Sequence, residues 1–134
     1  MHNSDELALA EYRLEKAKDC LKASELLLED NLYADSANRS YYAIFHSMNA
    51  LCATRNVGYK KHSGVLSDFN LNYIKKGLIE KEYAKIAKSA FSVRTQSDYS
   101  DFYIVSKTDV VEQYENAVKF VKRIEKFLNS TIID

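Results

Sequence analysis

The stretch that decides the fold is RSYYAIFH, residues 39–46. It lies within a segment free of glycine and proline, which predicts a helix over about 33–55. Arg39 and His46 are seven residues apart, almost two turns of about 3.6 residues, so the helix places both on one face. That face therefore combines a permanently charged guanidinium with an imidazole that titrates near neutral pH.

Two faces of this helix differ in composition. The apolar face, predicted to be buried, consists of Tyr41, Ile44, Met48 and Leu51, with Phe45 and Cys52 alongside. The mixed polar and aromatic face consists of Asp35, Arg39, Tyr42, Ala43, His46 and Ala50. Because the mixed face cannot use the same core, it needs its own neighbour, a ligand or a second subunit.

The rest of the chain predicts four more helices. Leucines recur every seven residues from Leu7 to Leu28, which is typical of a bundle helix and predicts one over about 5–30. Further helices are predicted over about 63–76, 80–98 and 108–129, with a loop over 56–64, a polar linker around 97–108 and Gly77 as a C-cap. The sequence thus predicts an all-α, up-and-down bundle of about five helices, forming a single domain over 1–134.

Composition excludes several classes of function. The formal net charge is zero, which disfavours a broad, sequence-independent nucleic-acid binder but allows a local patch for a short RNA segment. No stretch approaches the ~20 apolar residues of a membrane span, so we expect a soluble, cytoplasmic protein. Cys20 and Cys52 lie among apolar residues and are interpreted as reduced core thiols.

Neither a metal nor a cofactor is expected. A di-iron bundle would need glutamate three residues before a histidine, and neither His46 nor His62 has one. The chain also lacks a glycine-rich phosphate loop with a Walker lysine.

Arg39 and His46 have the chemistry to cut a phosphodiester without a metal. Arginine can hold a phosphate, and histidine can take or give a proton. The simpler alternative is that Arg39 pairs with Asp35, one turn earlier, while His46 is an ordinary half-buried histidine.

Other candidate residues have similar alternatives. Lys61 and His62 form a phosphate-contacting loop or a solvated loop in which His62 or Ser63 caps the next helix. Arg94 contacts the substrate or forms an intrahelical ion pair with Asp98. Tyr42 stacks on an RNA base or lies at the edge of the core.

Several motifs together resemble the HEPN domain family. Residues 37–46, ANRSYYAIFH, followed by Ala50-Leu51, resemble its signature helix. Residues 61–64 (KHSG) and 69–77, then Arg94 with Asp98-Tyr99, resemble its later elements in the expected order. The resemblance covers roughly 11–126.

The resemblance implies a bundle that dimerises through its signature helices. It also implies that many members are metal-independent ribonucleases, often toxins paired with a minimal nucleotidyltransferase antitoxin. The catalytic motif is an arginine followed after four to six residues by a histidine, and Arg39 and His46 fit it with six between. Two positions depart: Ser40 replaces the Asn, Asp or His frequent in active members, and Met48 replaces a tyrosine that some antitoxins modify.

We therefore predict an RNA endonuclease that works as a homodimer and leaves a 2′,3′-cyclic phosphate and a 5′-hydroxyl. Arg39 and His46 are the predicted catalytic residues. The predicted substrate-binding residues are Ser40, Tyr42, Lys61, His62 and Arg94. The alternative is an interaction module that binds a nucleotidyltransferase partner or a nucleotide and cuts no bond.

Overall fold

A computed structural model describes the backbone of residues 4–99 and 105–133, and the side chains of 4–96 and 105–131. Over these ranges the chain is helical and contains no strand, which confirms the all-α prediction. The helices are α1 (Ser4–Glu29), α2 (Tyr33–Thr54), α3 (His62–Phe69), α4 (Lys81–Tyr99) and α5 (Lys107–Ile133), and a π-helical segment (Asn70–Ile74) continues α3. Residues 100–104 of the predicted linker lie outside the described ranges.

A tight turn joins α1 to α2. Asn31 adopts a left-handed backbone (φ 63°), which asparagine tolerates better than most residues, and the Leu32 N–H donates to the Leu27 carbonyl at 2.9 Å. The two helices then approach closely through small residues. The Ser24 hydroxyl donates to the Ser36 carbonyl at 2.9 Å, and the Ser36 hydroxyl donates to the Ser24 carbonyl at 2.8 Å.

The core surrounds α2, which buries residues on most of its circumference. Burying each large apolar side chain of this core contributes roughly 1.5–3 kcal/mol before entropy is subtracted. The largest fully buried side chains are Phe69, Phe120, Ile44, Leu51, Ile79 and Ile124.

The two-face prediction for α2 is correct for the apolar face, except that Phe45 is only half-buried, and is partly wrong for the mixed face. Ala43 and Ala50 are 0% exposed within a single chain, because the small side chains let neighbouring helices pack against them. Arg39, Tyr42 and His46 stay half-buried. The part of the mixed face that stays accessible is therefore exposed Asp35 and this smaller arginine–tyrosine–histidine surface.

A buried aspartate fixes the connection between α2 and α3. Asp68 pairs with the Arg55 guanidinium, and it accepts hydrogen bonds from the Tyr59 hydroxyl at 2.7 Å and Asn72 at 3.0 Å. Burial alone would raise the pKa of Asp68, but the bonds from Tyr59 and Arg55 hold it below its usual value. A Cβ on Gly64 would lie 3.0 Å from the Tyr59 side chain, so glycine permits this close approach. The start of α3 is thereby held in place.

Gly77 ends the helical run that begins at α3, as predicted. Its backbone is left-handed (φ +74°), and its N–H donates to the Ile74 carbonyl at 3.0 Å. Across the described helices, none combines the length and apolar character that crossing a membrane requires.

Candidate active site

Arg39 is half-buried on α2, and its guanidinium is held on several sides. Nε and one terminal nitrogen donate to Oδ1 of Asn38 at 3.2 and 2.7 Å, and the other terminal nitrogen lies 3.9 Å from Sγ of Cys20. The guanidinium carbon lies 5.0 Å from the centre of the Tyr42 ring, a cation–π contact. Arg39 makes these contacts instead of the ion pair with Asp35 that the sequence also allows.

His46 lies one turn beyond Tyr42 on the same helix. The centre of its imidazole is 5.9 Å from the centre of the Tyr42 ring and 5.7 Å from that of Phe45. Tyr42 therefore contacts both Arg39 and His46. The two predicted catalytic side chains share one aromatic neighbour on a half-exposed surface.

The charges that act most strongly on His46 are positive. Burial lowers the pKa of His46 to about 4, and the cations of Lys16, Arg39 and Arg13 lower it further in the same direction. A histidine with this pKa is neutral at pH 7, which is the form that accepts a proton. The same positive surroundings would attract a phosphate.

His62, at the first position of α3, packs on the same aromatic group. Its ring stacks on Phe45 at 4.1 Å between centres and meets the Tyr42 ring edge-on at 5.8 Å. Nδ1 of His62 lies 2.7 Å from the Tyr41 hydroxyl. Burial, with a smaller effect from Arg94, lowers the pKa of His62.

Arg94 of α4 lies over the ring of Tyr41. Its guanidinium carbon is 5.6 Å from the centre of the Tyr41 ring. The ion pair with Asp98, the alternative for this residue, involves a side chain outside the described ones. The structure thus brings Arg94 and His62 together around Tyr41, next to the Tyr42 surface.

The other two predicted substrate-binding residues, Ser40 and Lys61, differ in exposure. Ser40 is 2% exposed, and its hydroxyl lies 2.7 Å from that of Ser24, inside the α1–α2 contact. Lys61 is exposed, and its backbone forms the N-cap of α3 without a side-chain cap. The alternative in which His62 or Ser63 caps this helix is therefore wrong.

Sequence reasoning did not identify three residues of the site. Arg13 and Lys16 come from α1 and act on His46 across the helix–helix contact, and Asn38 holds the Arg39 guanidinium. Each cation directly precedes a buried residue of α1, Leu14 or Ala17. Their position beside the buried stripe of α1 could have indicated that both cations lie near a neighbouring helix. It does not specify which residue of that helix they approach.

Both cysteines lie inside the helical core. Cys20 and Cys52 are buried and free, and burial raises the pKa of Cys52 to about 11. Among the residues that the structure describes, no three His, Cys, Asp or Glu side chains converge closely enough to hold a metal ion.

The family follows from comparison with known proteins. The HEPN domain family model matches residues 10–131, nearly the whole chain. This chain belongs to the HEPN family. The predicted resemblance to this family is thereby confirmed.

Relatives of similar length support the same family. The chain is 38% identical over 119 residues to a Methanocaldococcus jannaschii protein named "Putative toxin MJ0605", covering 89% of this chain and 88% of that protein. It is 32% identical over 120 residues to a UPF0332 protein of Thermotoga maritima, covering 90% and 91%. A second M. jannaschii relative, "Putative toxin MJ0142", is 31% identical over 117 residues, covering 87% and 80%.

A solved structure shares the fold. The crystal structure of TT1696 from Thermus thermophilus is similar with a TM-score of 0.73, over 88% of this chain and 97% of that one. The sequence identity is 18%, so this likeness concerns the helical fold alone.

Proposed function

We propose that this HEPN protein is a metal-independent endoribonuclease that uses Arg39 and His46. One observation carries the proposal: the Arg39 guanidinium and a neutral His46 lie 5.0 and 5.9 Å from the same Tyr42 ring. This surface is half-exposed, and the strongest charges acting on His46 are positive. A phosphodiester bound there would meet a fixed cation and a proton acceptor together.

The chemistry follows from these two groups. Neutral His46 takes the proton of a ribose 2′-hydroxyl, whose oxygen attacks the adjacent phosphorus. Arg39 stabilises the negative charge that develops on the phosphate oxygens. The bond to the 5′-oxygen breaks, which leaves a 2′,3′-cyclic phosphate and a 5′-hydroxyl.

Other side chains hold the RNA in this proposal. Tyr42 offers a half-buried ring beside both catalytic groups, on which a base can stack. Lys61, His62 and Arg94 supply further polar contacts along the α3 and α4 side. Ser40, a predicted substrate contact, has its hydroxyl on Ser24, so we assign it the positioning of α2 against α1 instead.

A homodimer through α2 completes the site. The half-buried surface of Arg39, Tyr42 and His46 on α2 suits packing against a second copy. A two-fold axis there brings two arginine–histidine pairs together, so each phosphate can meet cations from both protomers.

The partner in this proposal is a minimal nucleotidyltransferase antitoxin. Two relatives carry the word toxin in their names, and paired antitoxins are frequent in the family. Met48 stands where some toxins have a modified tyrosine, so modification at this position is not part of the proposal.

The proposal is tested with purified protein and total RNA in excess EDTA. We expect fragments with cyclic phosphate ends from the wild type and none from His46→Ala, a loss of about 10²–10⁴-fold. Far-UV circular dichroism of both proteins controls for folding. Equal cleavage by the two proteins would disprove the role of His46.

The buried Ser40 supports a second candidate, a non-catalytic module that binds a nucleotidyltransferase or a nucleotide. Active members often have a larger polar residue at this position, and here the hydroxyl is inaccessible to a ligand. This candidate predicts no cleavage by either protein, no growth arrest on expression, and partner binding that Arg39→Ala weakens.

A further inference from the structure

Two histidines of one chain flank the same pair of aromatic rings. His46 and His62 lie 5.9 and 5.8 Å from the centre of Tyr42, and 5.7 and 4.1 Å from the centre of Phe45. They belong to different helices, so only the tertiary fold brings them together.

The hydrogen bond to Tyr41 orients the His62 ring. Nδ1 lies 2.7 Å from the Tyr41 hydroxyl, so the other ring nitrogen, Nε2, is the one left for a ligand. When His62 is protonated, Nδ1–H donates to the hydroxyl oxygen and Nε2–H can be given away. Tyr41 is therefore a positioning residue for His62.

The backbone at His62 is also fixed. It starts α3 just after a loop that Tyr59 ties to buried Asp68, and the close contact of Gly64 with Tyr59 leaves little room for movement. A proton donor needs such positioning, because transfer requires its nitrogen within hydrogen-bond reach of the oxygen.

We propose that His62 is the general acid of the reaction and protonates the leaving 5′-oxygen while His46 of the same protomer deprotonates the 2′-hydroxyl. This assignment rests on the ribonuclease activity proposed above. The bond from phosphorus to the 2′-oxygen forms as the bond to the 5′-oxygen breaks. His46 gains one proton and His62 loses one, so the protons balance, and exchange with water restores both.

The charges around the two rings favour this division of roles. Burial, together with the cations of Lys16 and Arg13 of α1 and Arg39 of its own helix, keeps His46 neutral, the form that acts as a base. His62 faces the Tyr41 hydroxyl of α2 and Arg94 of α4, while Lys60 and Lys61 precede it. Of these cations, Arg94 alone acts appreciably on the pKa of His62, whereas three lower the pKa of His46. The protonated form of His62 is therefore the less strongly opposed of the two.

The test compares two forms of one RNA cut at its mapped site. One is unmodified, and the other carries sulfur in place of the bridging 5′-oxygen, because a thiolate leaves without a proton. We expect His62→Ala to cut the unmodified RNA at least ~100-fold more slowly than the wild type, and the sulfur RNA within about threefold. His46→Ala should fail on both substrates, since the attack still needs a base.

Two further variants separate the role from folding. His62→Gln should behave like His62→Ala, and normal cutting of the sulfur RNA by either protein demonstrates an intact fold. Tyr41→Phe should cut the unmodified RNA more slowly than the wild type, but with a smaller loss than His62→Ala, and should cut the sulfur RNA at the normal rate. Equal losses on both substrates, or no loss with His62→Ala, would overturn the inference.

A mixing experiment tests whether both histidines act in one protomer. His46→Ala and His62→Ala are unfolded together, refolded and assayed on unmodified RNA. We expect no recovery, because neither chain retains both groups; recovered cutting would place the acid in the opposite protomer and refute the proposal. If the wild type cuts neither RNA, the proposed ribonuclease function itself has failed, which is a different result.

Discussion

Arg39 and Arg55 stand sixteen residues apart, one within α2 and one just past its end, in opposite electrostatic surroundings. Arg55 pairs with buried Asp68, which also accepts bonds from Tyr59 and Asn72. Among the described side chains, Arg39 contacts neutral groups: the Asn38 amide, the Cys20 thiol and the Tyr42 ring. The charge of Arg55 is neutralised by a carboxylate of the same chain, and this ion pair contributes to the stability of the fold. The guanidinium of Arg39 is positioned by neutral groups, so its charge is available to a ligand.

Removing the unneutralised charge should have the largest effect on function. We expect Arg39→Ala to lower kcat/KM for RNA cleavage at least ~100-fold, about 3 kcal/mol of transition-state stabilisation. Its urea unfolding midpoint should match the wild type. Arg39→Lys should recover only part of the activity, because lysine lacks the forked donors. Full cleavage activity of Arg39→Ala combined with a lower urea unfolding midpoint would show that Arg39 serves stability rather than function.

Removing the matched charge should instead destabilise the fold. Arg55→Ala leaves Asp68 buried without its cation, which costs about 3 kcal/mol and is measured by urea unfolding at pH 7. Arg55→Ala combined with Asp68→Asn serves as the control, since it removes both charges and should recover part of the loss. An unchanged midpoint in Arg55→Ala would show that the network contributes little.

The two regions should also respond to pH in separate windows. The pKa of His46 is lowered to about 4 in the folded protein. As the pH falls, the unfolded chain therefore protonates this histidine before the folded protein does. The free energy of unfolding then decreases from about pH 6.5 to about pH 4, by up to ~3 kcal/mol. The pKa of Asp68 is below its usual value, so protonation of this carboxylate lowers the free energy of unfolding only at lower pH. His46→Asn should remove most of the first decline and leave the second. An identical pH profile of unfolding in both proteins would contradict this prediction.

The smallest effect is expected from the α1 cations. Lys16→Ala should raise KM for RNA by about three- to fivefold and make the salt dependence of binding shallower by about one unit of slope. Lys22→Ala is the matched control, a lysine of the same helix for which no effect on His46 is expected. If Lys16→Ala and Lys22→Ala bind RNA alike, the α1 contribution to the site is refuted.

Periodicity alone predicted the helices and placed Arg39 and His46 on one face. Both conclusions depend only on neighbours along one helix, where geometry repeats every turn. The role of Ser40 was harder to predict, although it adjoins Arg39 in sequence. One residue advances about 100° around a helix, which carries its side chain from the half-exposed surface into the contact with α1.

The cross-helix parts of the site could not be predicted in this way. Arg13, Lys16 and His62 join His46 because α1 and α3 pack beside α2, and packing depends on shapes that no single helix pattern specifies. Similarly, the burial of Ala43 and Ala50 reflects close packing between helices rather than hydrophobic periodicity. The position of the arginine–histidine pair was predictable, but not its electrostatic surroundings.

The π-helical segment has a consequence for how chain length can vary in this fold. The Lys75 N–H donates to the Asn70 carbonyl, five residues back, so this turn contains one residue more than an α-helical turn. Over the described residues, Asn70 also has a buried side-chain oxygen without a hydrogen-bond partner. Deleting Asn70 would restore an ordinary α-helical turn and remove that oxygen. We therefore expect deletion of Asn70 to leave the candidate active site undisturbed, whereas deletion of any residue within α2 would disturb it.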